Sequence, residues 1–185
     1  MRWELYLGWI HRPAGRTSKM QVMSEDAIIS AVYASLEQVM DPEIPVLTVL
    51  DLGMITQVSV TEAGILIKMI PTFAACPAVT YIKDNIRSTV AHDLGMPVQV
   101  EVDKETHWHS NRLSVEAKEK LRNFGIAAPQ VHNGEVHAEI MLHTACPHCG
   151  SEQTYLRSPF GSTLCRAIHF CKACGMAFEQ FKPVE

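Results

Sequence analysis

Cys146-Pro147-His148-Cys149-Gly150 and Cys171-Lys172-Ala173-Cys174-Gly175 form two Cys-x-x-Cys-Gly turns, with 21 residues between Cys149 and Cys171. A two-residue gap lets both thiolates of one turn converge on a single ion, and the glycine permits the tight backbone that follows. Two such turns complete a tetrahedral four-cysteine site. Zinc is the default occupant. A rubredoxin-type iron with one-electron chemistry and a pair of disulfides are the competing readings. With all four positions taken by protein there is no open place for water, so the metal is expected to be structural. Cys165 stands six residues before Cys171 and is left over. It reads either as a small buried residue or as a spare thiol that exchanges metal. His148 lies too close to its flanking cysteines to replace either and is expected to be exposed.

Cys76 is a second point of chemistry. It sits in Pro71-Thr72-Phe73-Ala74-Ala75-Cys76-Pro77, between a strand end and a helix start. If Pro77 is the first helical residue, Cys76 is the N-cap, where free amides and the helix dipole favour a thiolate. The plain alternative is an inert cysteine that tolerates the turn. The Thr72 hydroxyl is of a type that could donate a hydrogen bond toward the sulfur, a placement that sequence alone does not give. Asp41, Glu43 and Asp51 come from the other loop of the same segment, and together with Cys76 they would make a mixed thiolate and carboxylate site for iron. Read alone, Asp41-Pro42-Glu43 is a helix terminator with a solvated acid. His107 and His109 flank Trp108 and read as solvent-facing rather than as ligands, with Trp108 covering the domain's edge. No Ser/His/Asp set, phosphate-cradling glycine loop or His-x-x-x-His pair occurs.

The elements that would hold these residues follow from pattern. Ser24 caps a helix whose apolar positions Ile28, Val32, Leu36 and Val39 share a face, and Asp41-Pro42 stops it. Two strand-like runs, 54–60 and 65–70, flank a Thr61-Glu62-Ala63-Gly64 hairpin turn. A helix from Pro77 carries Val79, Ile82, Ile86 and Val90 on one face and breaks at Gly95-Met96-Pro97. Val98, Val100 and Val102 alternate with polar residues, a strand with one buried face. This α-β-β-α-β order gives a small α+β domain. Ser114 caps a further short helix ending at Gly125. The boundaries read as a basic N-terminal extension over 1–23, the α+β domain over 24–125, a linker over 126–144 and a C-terminal four-cysteine zinc ribbon over 145–185. The ribbon is expected to be a separate unit whose folding relies on its metal.

At 185 residues and 47% hydrophobic the chain is an ordinary globular length and composition, which excludes a disordered tail or a fibre. Apolar runs are too short to span a membrane, and the first residues lack a signal-peptide pattern, so a soluble cytoplasmic protein is expected. Met20 and Met23 would allow an internal start. Net charge is +3 over 1–20, −8 over 21–145 and +1 over 146–185. No segment has the basic excess that phosphate-backbone binding needs, which disfavours nucleic acid. An edge strand in so small a sheet would suit a homodimer.

Asp41-Pro42-Glu43-Ile44-Pro45, Asp51-Leu52-Gly53-Met54-Ile55 and Thr72-Phe73-Ala74-Ala75-Cys76-Pro77 resemble the MIP18-like family, the domain of unknown function 59, whose members act in iron–sulfur cluster assembly or delivery. Ser158-Pro159-Phe160-Gly161-Ser162-Thr163-Leu164-Cys165-Arg166-Ala167, set between the two Cys-x-x-Cys turns, resembles the PaaD (PaaJ) family of the phenylacetyl-CoA ring 1,2-epoxidase system. The resemblance spans roughly residues 24–183. It implies a non-catalytic accessory component of bacterial phenylacetate breakdown that helps mature an iron–sulfur or di-iron centre. Its partners would be the oxygenase or reductase subunits, its cofactors a structural zinc and a transient iron or iron–sulfur cluster. It implies roles for Asp41, Glu43, Thr72 and Cys76, for Cys146, Cys149, Cys171 and Cys174, and for Cys165 as an additional thiol. Relatives tend to carry Trp-Thr-Thr-Asp-Trp after the last strand of the α+β domain. Here the run is Trp108-His109-Ser110-Asn111-Arg112, which lacks the second aromatic and the acid.

Overall fold

A computed structural model describes residues 24–134, 136 and 138–184; the basic extension lies outside them. Helix α1 (Glu25–Leu36) starts where the sequence says it should, with the Ser24 hydroxyl accepting from the Ala27 amide at 3.3 Å. Strands β1 (Ile55–Thr61) and β2 (Gly64–Met69) form an antiparallel hairpin. Helix α2 (Val79–Leu94) then crosses over to β3 (Val98–Val102), which pairs parallel to β2. The sheet order β1-β2-β3 leaves β2 central, and Ile65, Ile67 and Met69 of that strand are fully buried in one cluster with Val32 and Leu36 of α1 and Ile82, Ile86 and Val90 of α2. The Ser35 hydroxyl fastens α1 to α2 by donating to Asp93 at 2.7 Å. Among the described residues no helix is long and apolar enough to cross a membrane.

The 3-10 turn Ser110–Arg112 and helix α3 (Val115–Asn123) follow, with Ser114 capping Ala117 at 2.9 Å. The stretch read as a linker is partly ordered into elements. It contains strand β4 (Ile126–Ala127) and helix α4 (Ala138–Leu142). Strands β5 (Thr154–Ser158), β6 (Arg166–Cys171) and β7 (Ala177–Phe181) make the ribbon. Its sheet runs β4-β7-β6-β5, so the ribbon's last strand pairs in parallel with β4, a strand contributed by the chain that precedes it.

The ribbon is therefore not a free-standing unit. Phe181 and Cys165 belong to the same buried cluster as Ile67, Leu121 and Trp108. The Trp108 and Phe181 rings lie 5.8 Å apart, and the Trp108 indole donates to the Leu52 carbonyl at 2.7 Å. Trp108 is a buried member of the joint core rather than a cover at its edge. Among the described residues the separate apolar cluster on the ribbon side holds Cys146, Cys171 and Phe178 together with Ala127 of β4. So small a cluster cannot offset the entropy of ordering the whole ribbon, and docking on the first domain supplies the missing burial. The residues after β3 serve the same seam. Ser110 exchanges hydrogen bonds with Val184, Asn111 with His132, and Arg112 donates to the Gly53 carbonyl at 2.8 Å.

Candidate functional site: a thiol cluster at the seam and a four-cysteine metal site

The two knuckles of the ribbon are built alike. In the first, Gly150 N–H donates to Cys146 O at 2.9 Å and Cys146 N–H to Ser151 O at 3.0 Å; in the second, Gly175 donates to Cys171 at 2.9 Å and Cys171 to Met176 at 2.9 Å. Gly150 and Gly175 both take φ +72°, a left-handed conformation that side chains disfavour. The turns bring Cys146 Sγ within 3.8 Å of Cys174 Sγ and Cys149 Sγ within 3.6 Å of Cys171 Sγ, with all four sulfurs inside 4.8 Å of one another. A tetrahedron of metal–sulfur bonds of about 2.3 Å has edges of about 3.8 Å, so the donor set and spacing fit one tetrahedral ion. The amides aim at the sulfurs as well. Those of Cys174 and Ala173 help lower the Cys171 thiol to about 7. The Ser151 amide lowers Cys149, but burial and the neighbouring thiols push it up to about 12. Without a cation, four adjacent sulfurs resist joint ionisation; a divalent ion removes that resistance. His148 is exposed, as its position in the turn predicts.

The residues expected around Cys76 lie near where the two halves meet, with Arg166 of the ribbon donating to the Glu43 carbonyl. Helix α2 begins at Val79 with Ala78 as its N-cap, two residues later than the Pro77 start expected from sequence. The segment before it closes a turn instead, Cys76 N–H to Phe73 O at 3.0 Å, because Pro77 favours an extended Cys76 ahead of it. Cys76 is thus two residues outside the cap. Burial pushes its thiol up, the Ala78 amide opposes this, and Glu43, Asp41 and Cys165 each add to the rise. Cys165 is 6% exposed and is likewise pushed up, by burial first, with Thr163 and Arg166 opposing and Glu43 and Asp41 adding. Its sulfur lies 3.1 Å from the Thr163 hydroxyl. The charges of Glu43 and Asp41 thus raise the leftover ribbon thiol and the thiol of the first domain alike.

Asp41 is a loop organiser as well as a neighbour. Its Oδ1 accepts the Glu43 and Ile44 amides, each at 2.8 Å. Glu43 is half-buried, and its carboxyl is raised by burial and by Asp41 against the pull of Arg166. Asp51 points elsewhere, to Lys120 at 2.6 Å and the Thr48 amide at 2.9 Å. Thr72 is buried and lines a neighbouring cleft of about 520 Å³ with Trp108, Asp103 and Val184. His107 is exposed, and the His109 ring packs edge-on to His132 at 6.4 Å rather than joining a ligand set. Among the described residues the four ribbon thiols are the one group of three or more such ligand atoms that already converges.

Two cations clamp the seam, and sequence reading passed over both. Arg166 is 8% exposed at its side chain and bonds Glu179 at 2.7 Å, while its other terminal nitrogen donates to the Glu43 carbonyl. The Lys182 amide donates to Cys165 O at 2.8 Å. Its ammonium sits 5.8 Å from the Phe73 ring and 5.9 Å from the Phe160 ring. The signal for Arg166 was its place within an otherwise apolar strand, Cys165-Arg166-Ala167-Ile168, since an arginine there needs partners.

Residues 29–103 match the family described as iron-sulfur cluster assembly protein, and residues 132–182 match the PaaD zinc beta ribbon domain. A protein of Escherichia coli (strain K12), provisionally named as the D component of 1,2-phenylacetyl-CoA epoxidase, is 38% identical over 154 residues, which are 83% of this chain and 92% of the relative. The chain belongs to the PaaD family. An Fe-S protein maturation auxiliary factor of Porphyromonas gingivalis (strain ATCC BAA-308 / W83) is 36% identical over 92 residues, 49% of this chain and 87% of that one. The crystal structure of a domain of unknown function DUF59 from Bacillus anthracis is 27% identical and covers 52% of this chain and 93% of that one, at a TM-score of 0.49. In this PaaD family member, Asp41, Glu43, Thr72 and Cys76 fall in the segment matched to iron–sulfur assembly, and Cys165 falls with the four knuckle cysteines in the segment matched to the PaaD ribbon. The seam draws on both.

Proposed function

We propose that this protein is a non-catalytic accessory component of a phenylacetyl-CoA epoxidase, acting in the maturation of the complex's iron–sulfur or di-iron centre. The observation that carries the reading is the seam itself. A segment of the iron–sulfur assembly family and a segment of the PaaD ribbon family meet in one chain, joined where Arg166 of the ribbon donates to the Glu43 carbonyl of the loop beside Asp41. The names of the two relatives, an epoxidase component and an iron–sulfur maturation factor, support the same reading from outside. In it Cys76 is the transient ligand or docking thiol, Asp41 and Glu43 supply carboxylate charge, and Thr72 shapes the loop that holds Cys76. Zinc in the ribbon is structural: Cys146, Cys149, Cys171 and Cys174 would hold it, and it supplies cross-linking of the two knuckles rather than reaction chemistry. The protein's place is with the oxygenase or reductase subunits in the cytoplasm.

The chain's own residues account for how cargo would be kept and released. Burial and the charges of Glu43 and Asp41 keep the Cys76 and Cys165 thiols protonated when no cation is present, which protects them from oxidation. A metal cargo displaces those protons and relieves the mutual repulsion of the anions.

The test is to produce the oxygenase and reductase components in cells with and without this protein, purify them away from it, and measure iron, acid-labile sulfide and phenylacetyl-CoA turnover. Components that lack metal and stay inactive when the protein is added back support maturation. Components that are fully metallated and regain activity on mixing overturn it and favour the second reading, a working structural subunit, to which the relative's name as an epoxidase component lends support.

A further inference from the structure

Phe160 is 71% exposed, yet the loop that carries it is held on both sides. The Ser158 hydroxyl donates to the Phe160 carbonyl at 2.8 Å and accepts the Phe160 amide at 3.1 Å. Gly161 N–H donates to Arg166 O at 2.9 Å, and Ser162 donates to Glu179 through both its amide and its hydroxyl. A ring displayed in water contributes no burial to the fold, while a ring fixed in advance loses little entropy when a partner covers it. The ring is not isolated. The Lys182 ammonium lies 5.9 Å from the Phe160 ring and 5.8 Å from the Phe73 ring, and it donates to the Pro159 carbonyl at 3.2 Å. One cation thus links an aromatic of the ribbon to an aromatic of the first domain. Phe73 in turn belongs to the Cys76 turn, its carbonyl accepting the Cys76 amide at 3.0 Å. Ala74, Ala75 and Pro77 of that turn are exposed as well.

We propose that Phe160, Phe73 and Lys182 form a docking surface for a protein partner that offers an apolar pocket beside a carboxylate. The inference rests on the maturation reading and deepens it, because the partner is then the component that receives the cargo, seated against the turn that carries Cys76. Lys182 decides the chemistry of that partner. Among the described residues no carboxylate pairs with its ammonium, while the ions nearby are spent on one another, Arg166 with Glu179. Covering the two rings strips water from the ammonium, which is costly unless the partner supplies an anion. A single unpaired ammonium is too little charge for a phosphate backbone or an anionic lipid surface, and the net charge over 146–185 is only +1. A protein pocket with an acid at its rim satisfies ring and cation together, the arrangement of an aromatic anchor inside a polar rim.

The probes are the separately purified oxygenase and reductase components, titrated by calorimetry into zinc-loaded full-length protein. One of them should bind, and Phe160→Ala should weaken that binding about thirtyfold or more. Affinity should fall with rising salt in the wild type and lose most of that dependence in Lys182→Met, which keeps the stem against the rings and removes the charge; Lys182→Glu should bind more weakly still. Phe124→Ala removes an exposed ring at the end of α3 and should leave the affinity unchanged. Far-UV circular dichroism checks that each variant is folded. Binding to neither component, wild-type affinity in a folded Phe160→Ala, or an equal loss in Phe124→Ala overturns the surface. A wild-type dimer in light scattering that Phe160→Ala dissociates assigns the patch to a second copy of this chain and overturns it as well. Components that no longer bind Phe160→Ala, yet emerge fully metallated from cells carrying only that variant, overturn the maturation reading and leave the docking surface standing.

Discussion

Replacing Phe181 with alanine tests whether the two halves share one core. The side chain is 1% exposed, packs on the Trp108 ring at 5.8 Å and lies in a ribbon strand while belonging to the first domain's cluster. Truncating a buried phenylalanine costs about 3–5 kcal/mol. The unfolding entropy of a chain of this size is roughly 0.3–0.4 kcal/mol/K, from about 2.1 cal/mol/K per residue, so the melting temperature should fall by about 10 °C. The decisive assay is hydrogen–deuterium exchange read separately on β2 and β6. A shared core predicts that amides of Ile65–Met69 lose protection along with those of Ala167–Cys171, although β2 is not in contact with residue 181 through the sheet. If only the ribbon strands lose protection and β2 keeps its wild-type exchange, the ribbon is a docked but independent unit and the argument from the joint cluster is wrong.

Other outcomes follow from particular contacts. Arg166→Met removes one partner each from Glu179, which keeps the Ser162 amide and hydroxyl, and from the Glu43 carbonyl, so the urea midpoint should drop by the equivalent of about 1–3 kcal/mol, and Arg166→Lys should recover little of it because one ammonium cannot serve two partners in fork geometry. Gly161→Ala should destabilise by about 1–3 kcal/mol in the same urea assay, since the added carbon would lie 2.8 Å from Arg166 Cβ and 2.9 Å from Glu179 Oε1. Stripping the ribbon with a strong chelator should release one metal equivalent and expose Cys165 to alkylation, monitored by mass spectrometry; a Cys165 that stays protected would show that the seam holds without the knuckles. Glu43 has a raised folded-state carboxyl, by burial first and then by Asp41. The folded state therefore binds the extra proton, and wild-type stability should fall as pH rises from the ordinary glutamate range through the folded value. Glu43→Gln should flatten that segment of the urea-midpoint profile in metal-free buffer, and an unchanged slope would refute the assignment.

Local rules made much of the fold readable. Ser24 and Ser114 cap as their types demand, Gly95 and Gly125 stop helices with φ of +64° and +90°, and the alternation of Val98, Val100 and Val102 marks β3. The knuckles were legible because two cysteines and a glycine at fixed spacing have few other uses. What stayed hidden depends on distance along the chain. Cys76 and Cys165 are 89 positions apart, and no periodicity reports that the charges of Glu43 and Asp41 act on both. Phe181 looks like any ribbon aromatic until it meets Trp108. β4, two residues long, carries too few side chains to leave a pattern, yet its pairing with β7 converts an apparent linker into part of a sheet. The start of α2 was misplaced because Pro77 suits both a first helical turn and the turn that precedes one, and the Cys76–Phe73 bond decided for the latter.

The seam also sets an order of events during synthesis. Trp108, Leu52 and the faces of β2 emerge from the ribosome long before Cys165, Phe181 and Val184, whose contacts complete their burial. The nascent first domain must wait with an open apolar flank while the rest of the chain is translated and two knuckles capture their ion. Slow translation or scarce metal would lengthen that wait, and the same flank is where a chaperone would find purchase.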